Sequence, residues 1–256
     1  MCFRKTSIFM FVDGYLFSSN LWYIKDITPT FVFKLSITLP KDLLVDINSS
    51  INKDSMSFLS IDCSTDIGSL FIKAKNKTFS KFLQSDKFNN DFIMHEILNF
   101  FAENNLSFED ISKIFVNQGP GNFSGLRGSL ATAKGISLSK NLNLYGYNTF
   151  IWLCSKFYKK IDSISCIIKF RDKYFVKNFY KNFLSTSKID EMTDEEIVKN
   201  YNDKFILIPK SMVKYFDSKI LKLNSISIVD LDHNELEFLQ LNQLLDKDLI
   251  KPLYLS

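Results

Sequence analysis

Short apolar runs separated by turn residues dominate the chain from Met56 onward. The run that begins with Phe58 predicts a strand over residues 58 to 62, and similar alternation predicts strands over 68 to 73 and near 78 to 83. Residues typical of turns separate the three runs. We therefore expect a three-stranded antiparallel meander.

A helical period follows this meander. One apolar face is predicted at the spacing i, i+3, i+4 and i+7, made of Met94, Ile97, Leu98 and Phe101. Asn90 is the predicted N-cap, and His95 lies on the opposite, polar face. The pattern indicates one amphipathic helix.

A glycine-rich loop, Gly119-Pro120-Gly121-Asn122-Phe123-Ser124-Gly125, lies between a predicted strand (113 to 117) and a predicted helix (126 to 140). This order is typical of anion sites at helix N-termini. The loop fits neither common nucleotide motif, because Leu126 follows Gly125 and Ser124 replaces the third glycine of the dinucleotide fingerprint. Two interpretations stay open: an anion site, or a tight turn in which Ser124 caps the helix.

Small residues continue into that second helix. They lie at helical spacing and are Gly128, Ala131, Thr132 and Gly135. Such residues lower helix propensity but let a neighbouring element approach closely. The neighbour is either the protein's own core or a partner chain.

The remaining pattern alternates between strands and helices. Strands are predicted over 144 to 147, 165 to 168, 174 to 180 and 205 to 208, and helices over 152 to 158, from Thr193, and over 235 to 245. Glu196 is placed to complete a capping box with Thr193. The alternation predicts an α/β protein.

Composition and charge narrow the class further. The 256 residues are 46% hydrophobic, enough for one large core or two modest ones, and the net charge of +4 does not by itself indicate nucleic acid. A basic neighbourhood between Lys159 and Lys177 is either a solvated face or a support for nucleic acid. Four cysteines without a CxxC pair favour free thiols and a cytoplasmic location. The apolar stretch from Ser7 to Tyr23 is too short to span a bilayer, so no membrane is expected.

Two segments resemble the TsaB (YeaZ) family. Met56-Ser-Phe-Leu-Ser-Ile-Asp-Cys-Ser-Thr65 resembles its opening, and Asn117-Gln-Gly-Pro-Gly-Asn-Phe-Ser-Gly-Leu-Arg-Gly-Ser-Leu-Ala-Thr-Ala-Lys-Gly135 resembles its signature loop and helix. Departures are Asn122 for serine, Lys169-Phe170 for Asp-Ala before Arg171, and Ser256 for a terminal arginine.

The resemblance implies an actin-like, Hsp70-like (ASKHA) fold of two RNase H-type domains, the second reduced. It implies a non-catalytic scaffold that supports TsaD in transferring threonylcarbamoyl to the adenosine next to the anticodon of tRNA. The implied partners are a TsaD-like catalytic paralogue, a TsaE-like ATPase and a second copy of the chain. Contact with tRNA is expected only through the complex, and no cofactor or metal is implied.

The resemblance also implies site residues. An interface with TsaD or a second copy is expected at Met94, Ile97, Gly119, Pro120, Gly121, Ser124, Gly125, Arg127, Gly128, Ala131 and Gly135. A degenerate phosphate turn is expected at Asp62, Ser64 and Thr65, with no catalytic residue. The implied domains are 56–150 and 151–256, preceded by residues 1–55, which are foreign to the family and suggest a misassigned start.

Two other function classes remain as alternatives. The turn from Asp62 resembles the first phosphate turn of actin-fold ATPases, but no glycine follows Gly146 to form the nucleotide loops of a second domain. A metallopeptidase would need a His-Glu-x-x-His pair, and Asn99 occupies the second position after His95. The interaction subunit is favoured over both.

Overall fold

A computed structural model describes residues 3–12, 15–24, 57–65, 67–84, 89–181, 183 and 185–255. The chain divides into two compact units, Met1–Val45 and Asp46–Ser256. In the first unit, strands β1 (Phe3–Val12) and β2 (Tyr15–Ile24) pair antiparallel. The boundary predicted at Met56 lies outside the described residues.

The second unit begins with a five-stranded sheet. Its strands are β3 (Phe58–Asp62), β4 (Ile67–Ala74), β5 (Lys77–Gln84), β6 (Lys113–Asn117) and β7 (Asn143–Tyr147), in the order β5-β4-β3-β6-β7. Strands β3, β4 and β5 form the antiparallel meander that the sequence predicts. Strands β6 and β7 run parallel to β3.

Three helices accompany this sheet: α1 (Asn90–Glu103), α2 (Phe123–Lys140) and α3 (Thr149–Cys154). The side chain of Asn89, not the predicted Asn90, caps α1 by accepting a hydrogen bond from the Phe92 amide. A 3-10 turn follows α3, which therefore ends before the predicted Tyr158.

The buried face of α1 is rotated from the prediction. Its buried residues are Ile93, Ile97, Phe100 and Phe101, whereas Leu98 is 47% exposed. This helix has apolar residues on more than half of its circumference, so several stripes satisfy the helical period. Contact with the sheet selects one of them.

A second sheet repeats the first. Its strands are β8 (Ser163–Phe170), β9 (Lys173–Tyr180), β10 (Ser185–Met192), β11 (Ile206–Pro209) and β12 (Ile226–Val229), in the order β10-β9-β8-β11-β12. Strands β8 to β10 form a meander, and β11 and β12 run parallel to β8. The helices α4 (Asp194–Tyr201) and α5 (Ser218–Leu221) have 8 and 4 residues, against 14 and 18 in α1 and α2.

Side chains alternate across β3 and separate two cores. Leu59 and Ile61 pack under α1 and α2, whereas Phe58 belongs to a core shared by the two sheets. A third core packs α4 and α5 against the other face of the second sheet. The second unit is therefore layered helix, sheet, shared core, sheet and helix.

The C-terminal part returns to the first sheet. Helix α6 (Glu235–Leu241) pairs Glu237 with Lys73 of β4, their Oε2 and Nζ atoms 2.6 Å apart. Asp246 then bridges Gly146, and the Leu253 amide donates to the Gln118 carbonyl at 2.7 Å. None of the helices in the described ranges is long and apolar enough to cross a membrane.

Candidate functional site

The turn after β3 packs against the glycine-rich loop with almost no space between the backbones. A Cβ on Gly121 would lie 1.9 Å from the Ser64 carbonyl oxygen, and a Cβ on Gly125 would lie 2.1 Å from the Cys63 carbonyl oxygen. The Asn122 amide donates to the Ser64 carbonyl at 2.7 Å. Both glycines therefore serve a contact within the chain.

Asn122 is the N-cap of α2. Its Oδ1 accepts hydrogen bonds from the amide and hydroxyl of Ser124 at 3.2 and 3.1 Å. The predicted Ser124 cap is wrong, and α2 begins at Phe123, three residues before the predicted Leu126. Asn122 has the extended backbone of a cap residue, and its short side chain reaches the second amide of the helix.

A buried hydrogen-bond network holds the turn in place. The Asp62 Oδ1 atom accepts from the Ser64 amide at 2.9 Å and from Asn117 Nδ2 at 3.1 Å. Burial raises the pKa of the Asp62 carboxyl, and these hydrogen bonds oppose that rise.

Asn117 is the centre of this network and was missed in the sequence. Its Nδ2 also lies 3.3 Å from Ser64 Oγ and 3.2 Å from Thr149 Oγ1, and its Oδ1 accepts from the Gly119 amide at 2.8 Å. The available signal was an amide side chain at the end of an otherwise apolar strand.

The backbone of Gly119 has a φ of 105°, a conformation that residues other than glycine rarely adopt.

A cleft with a volume of about 360 Å³ opens where the two sheets meet. Its lining from the two halves includes Asp62, Ser64, Thr65, Met212, Tyr215 and Asp230. Phe82 stands at this cleft with 75% of its surface exposed. The cleft thus brings the predicted phosphate turn together with residues that follow strands β11 and β12, which the sequence did not single out.

His233 closes one side of the cleft. Its Nδ1 lies 2.9 Å from Ser60 Oγ and its Nε2 lies 3.2 Å from Ser69 Oγ. The ring stacks on Phe71 at 5.1 Å between centroids and packs against Trp152 at 4.8 Å. The contacts connect the segment before α6 to the first sheet.

Acid is expected to destabilise the protein through His233. Burial lowers its pKa from 6.5 to about 4, although the nearby Asp232 carboxylate opposes this change. The unfolded chain then binds more protons than the folded chain between these values, so stability falls as the pH drops through this window. At pH 5 the loss attributable to His233 is at most about 2 kcal/mol. Urea unfolding of the wild type and of His233→Phe at pH 7 and pH 5 measures this loss. If both proteins lose the same free energy of unfolding between these pH values, His233 is not the cause.

The sequence is similar to proteins of tRNA threonylcarbamoyladenosine biosynthesis. Residues 87–199 match the family described as TsaD, tRNA N6-adenosine threonylcarbamoyltransferase. The tRNA threonylcarbamoyladenosine biosynthesis protein TsaB of Buchnera aphidicola subsp. Baizongia pistaciae is 36% identical over 91 residues, which are 34% of this chain and 39% of that protein. The matched stretch thus spans well under half of this relative.

Two solved structures share the fold. A Pseudomonas aeruginosa protein described as similar to peptidase YeaZ has a TM-score of 0.59 at 13% identity, over 78% of this chain and 99% of that one. YeaZ from the same organism has a TM-score of 0.56 at 14% identity, with the same coverage. At these identities the two matches show a shared fold. The predicted fold class is confirmed: the chain is α/β, with two five-stranded sheets of the same strand order.

The interface residues that the TsaB resemblance implies separate into two groups. The exposed or half-buried ones are Met94, Gly121, Ser124, Arg127, Ala131 and Gly135. The buried ones are Ile97, Gly119, Pro120, Gly125 and Gly128. The buried residues pack within the chain's own core and loop, and partner contacts at either group stay a prediction.

The small-residue stripe of α2 is not a single face. Gly128 and Thr132 point inward, whereas Ala131 and Gly135 are exposed, and a Cβ on Gly135 would meet nothing within 4 Å. Leu138, one turn further, is 85% exposed. Because α1 and α2 pack side by side, their outward residues form one surface. We call it the α1–α2 surface and define it by Met94, Leu98, Ala131, Gly135 and Leu138.

The predicted basic neighbourhood does not stay together. Lys173 forms an ion pair with Glu191. Lys177 is half-buried, and its Nζ donates a hydrogen bond to the Ser187 carbonyl at 3.3 Å. Only Lys169 and Arg171 reach the edge of the glycine-rich loop, across a second cavity.

The two histidines lie on different elements. His95 is on the exposed face of α1, where its Nδ1 is 3.1 Å from Asn99 Nδ2, and His233 lies in the cleft. Across the described ranges, no cluster of three or more His, Cys, Asp or Glu residues is arranged to hold a metal ion.

Proposed function

We propose that the chain is a non-catalytic scaffold subunit of a cytoplasmic assembly that makes threonylcarbamoyladenosine on tRNA. In this proposal it supports a TsaD-like catalytic paralogue, and a TsaE-like ATPase joins the same assembly. The 36% identity to TsaB carries the proposal. The fold shared with YeaZ supports it.

The exposed apolar residues of the α1–α2 surface support the proposal that it binds a partner. Leu138 and Leu98 expose 85% and 47% of their surface, which a partner would remove from water. Ala131 and Gly135 precede Leu138 along α2 and would let a partner helix approach closely. When the chain is alone, the same surface would pair two copies.

The hydrogen bonding of the phosphate turn supports a scaffold rather than an ATPase. The Asp62 carboxylate and the Ser64 hydroxyl both contact Asn117, and the Ser64 carbonyl accepts from the Asn122 amide. An ATPase would leave such groups available for phosphate or its metal ion. Here they join two loops of the protein.

Co-purification with the TsaD-like protein of the same organism tests the proposal. We expect Gly135→Arg to weaken the complex at least about tenfold, because the new side chain stands where a helix must approach. Leu249→Arg is the matched control, since Leu249 is 67% exposed and lies outside the α1–α2 surface. Far-UV circular dichroism checks that both variants are folded.

Two results would contradict the proposal. One is the absence of any complex between the wild-type chain and the TsaD-like protein. The other is ATP hydrolysis by the purified chain alone that is lost on Asp62→Asn. If both arginine variants weaken the complex equally, the interface does not lie on the α1–α2 surface.

A further inference from the structure

A second cavity, of about 380 Å³, lies between the glycine-rich loop and the tip of the β8–β9 hairpin. We call it the loop–hairpin groove, and its walls include Thr65, Gly121, Phe123, Lys169, Phe170 and Arg171. Its volume lies in the range of small-ligand sites, about 300 to 1,000 Å³. None of its wall residues belongs to the α1–α2 surface.

The cations at this groove lack carboxylate partners within the described part of the chain. Lys169 Nζ lies 4.8 Å from the Tyr174 ring centroid, and the Arg171 guanidinium lies 5.4 Å from that of Phe170. Lys173, two residues further on, is instead held by Glu191 with an Nζ to Oε1 distance of 2.7 Å. Lys169 Nζ also donates to the Tyr174 hydroxyl at 3.5 Å. Aromatic side chains thus orient the groove cations, and the remaining N–H donors stay available to an anion.

An exposed aromatic ring faces these cations across the groove. Phe123 is 52% exposed and stacks on Tyr254 with 5.3 Å between centroids. The Arg127 guanidinium lies 3.9 Å from the Phe123 centroid, and its Nε donates to the Tyr254 hydroxyl at 2.9 Å. The C-terminal segment therefore braces Phe123 from behind.

We propose that the loop–hairpin groove binds a single-stranded segment of RNA. The phosphates lie on Lys169 and Arg171, and a base stacks on Phe123. Single-stranded RNA is recognised by this combination of basic side chains along the backbone and aromatic faces for the bases. The proposal that this RNA is tRNA rests on the proposed function, whereas the groove rests on its own geometry.

Binding of a fluorescein-labelled anticodon stem–loop RNA to the full chain tests the groove, by anisotropy at about 50 mM salt. We expect Lys169→Gln with Arg171→Gln to weaken binding about tenfold or more, and to reduce the slope of log K against log salt by about 1.4, at about 0.7 per phosphate contact. The control is Lys75→Gln with Lys77→Gln. It removes the same charge at the β4–β5 turn, which lies at the end of the sheet away from Asp62.

The aromatic contact has its own variants. Phe123→Ala is expected to weaken binding about tenfold through lost stacking, and Phe123→Trp to restore it. The inference is overturned if the wild-type chain does not bind the RNA, if the control pair weakens binding as much as the groove pair, or if ADP displaces the RNA. Co-purifying the same variants with the TsaD-like protein separates this test from that of the proposed function, because the groove variants should keep the partner.

Discussion

Replacing Gly125 with alanine should lower the free energy of unfolding by about 3 kcal/mol or more. The new Cβ would lie 2.1 Å from the Cys63 carbonyl oxygen, a backbone atom that cannot rotate away. Either α2 moves out from the sheet or the turn after β3 shifts, and both changes disrupt the hydrogen bonds around Asn117. Guanidinium denaturation followed by circular dichroism measures the loss.

Gly135→Ala is the control for this change. Gly135 lies on the same helix, and its Cβ would meet nothing within 4 Å. Alanine there should stabilise the protein by about 0.5 to 1 kcal/mol, because it removes the helix cost of glycine. If the free energy of unfolding of Gly125→Ala is within about 1 kcal/mol of the wild-type value, the close contact between α2 and the turn after β3 does not constrain the fold.

Substituting Glu237 should have an effect of similar size. Its Oε2 lies 2.6 Å from Lys73 Nζ and its Oε1 lies 3.6 Å from Lys113 Nζ, and the Lys113 side chain is only 9% exposed. Glu237→Gln keeps the volume but leaves two largely buried ammonium groups without a countercharge. We expect a loss of about 3 kcal/mol, since removing one partner of a buried pair leaves the other charge uncompensated.

The control is the exposed pair between Lys210 and Asp230. Their side chains are 66% and 73% exposed, with Nζ and Oδ2 2.8 Å apart. Asp230→Asn should change the free energy of unfolding by about 0.5 kcal/mol or less, because solvent screens such pairs. Equal effects of the two substitutions in urea denaturation would show that α6 is not anchored by its buried ion pair.

The elements that could be predicted are those with short-range causes. Strand β6 was predicted over residues 113 to 117, and the structure places it there. The capping box of Thr193 with Glu196 was also predicted and is present. These signals need only a few consecutive residues, so the rest of the fold does not alter them.

The errors arise where several local solutions compete. Asn122 and Ser124 are both good caps, and only the contact of the loop with Ser64 places Asn122 before the helix. The strands β1 and β2 were not predicted at all. Their signal was Asp13-Gly14, a dipeptide common in hairpins, between two apolar runs.

The sequence alone determined the α/β class, the resemblance to TsaB and the presence of a glycine-rich loop between a strand and a helix. Only the tertiary structure decided which small residues of α2 face inward, because the helical period is the same for Gly128 and Gly135 and only the neighbouring sheet distinguishes them. It also placed His233 beside Ser60, a contact between residues far apart in the chain. Periodicity and capping act over one or two helical turns, whereas burial and long-range hydrogen bonds depend on how whole elements pack.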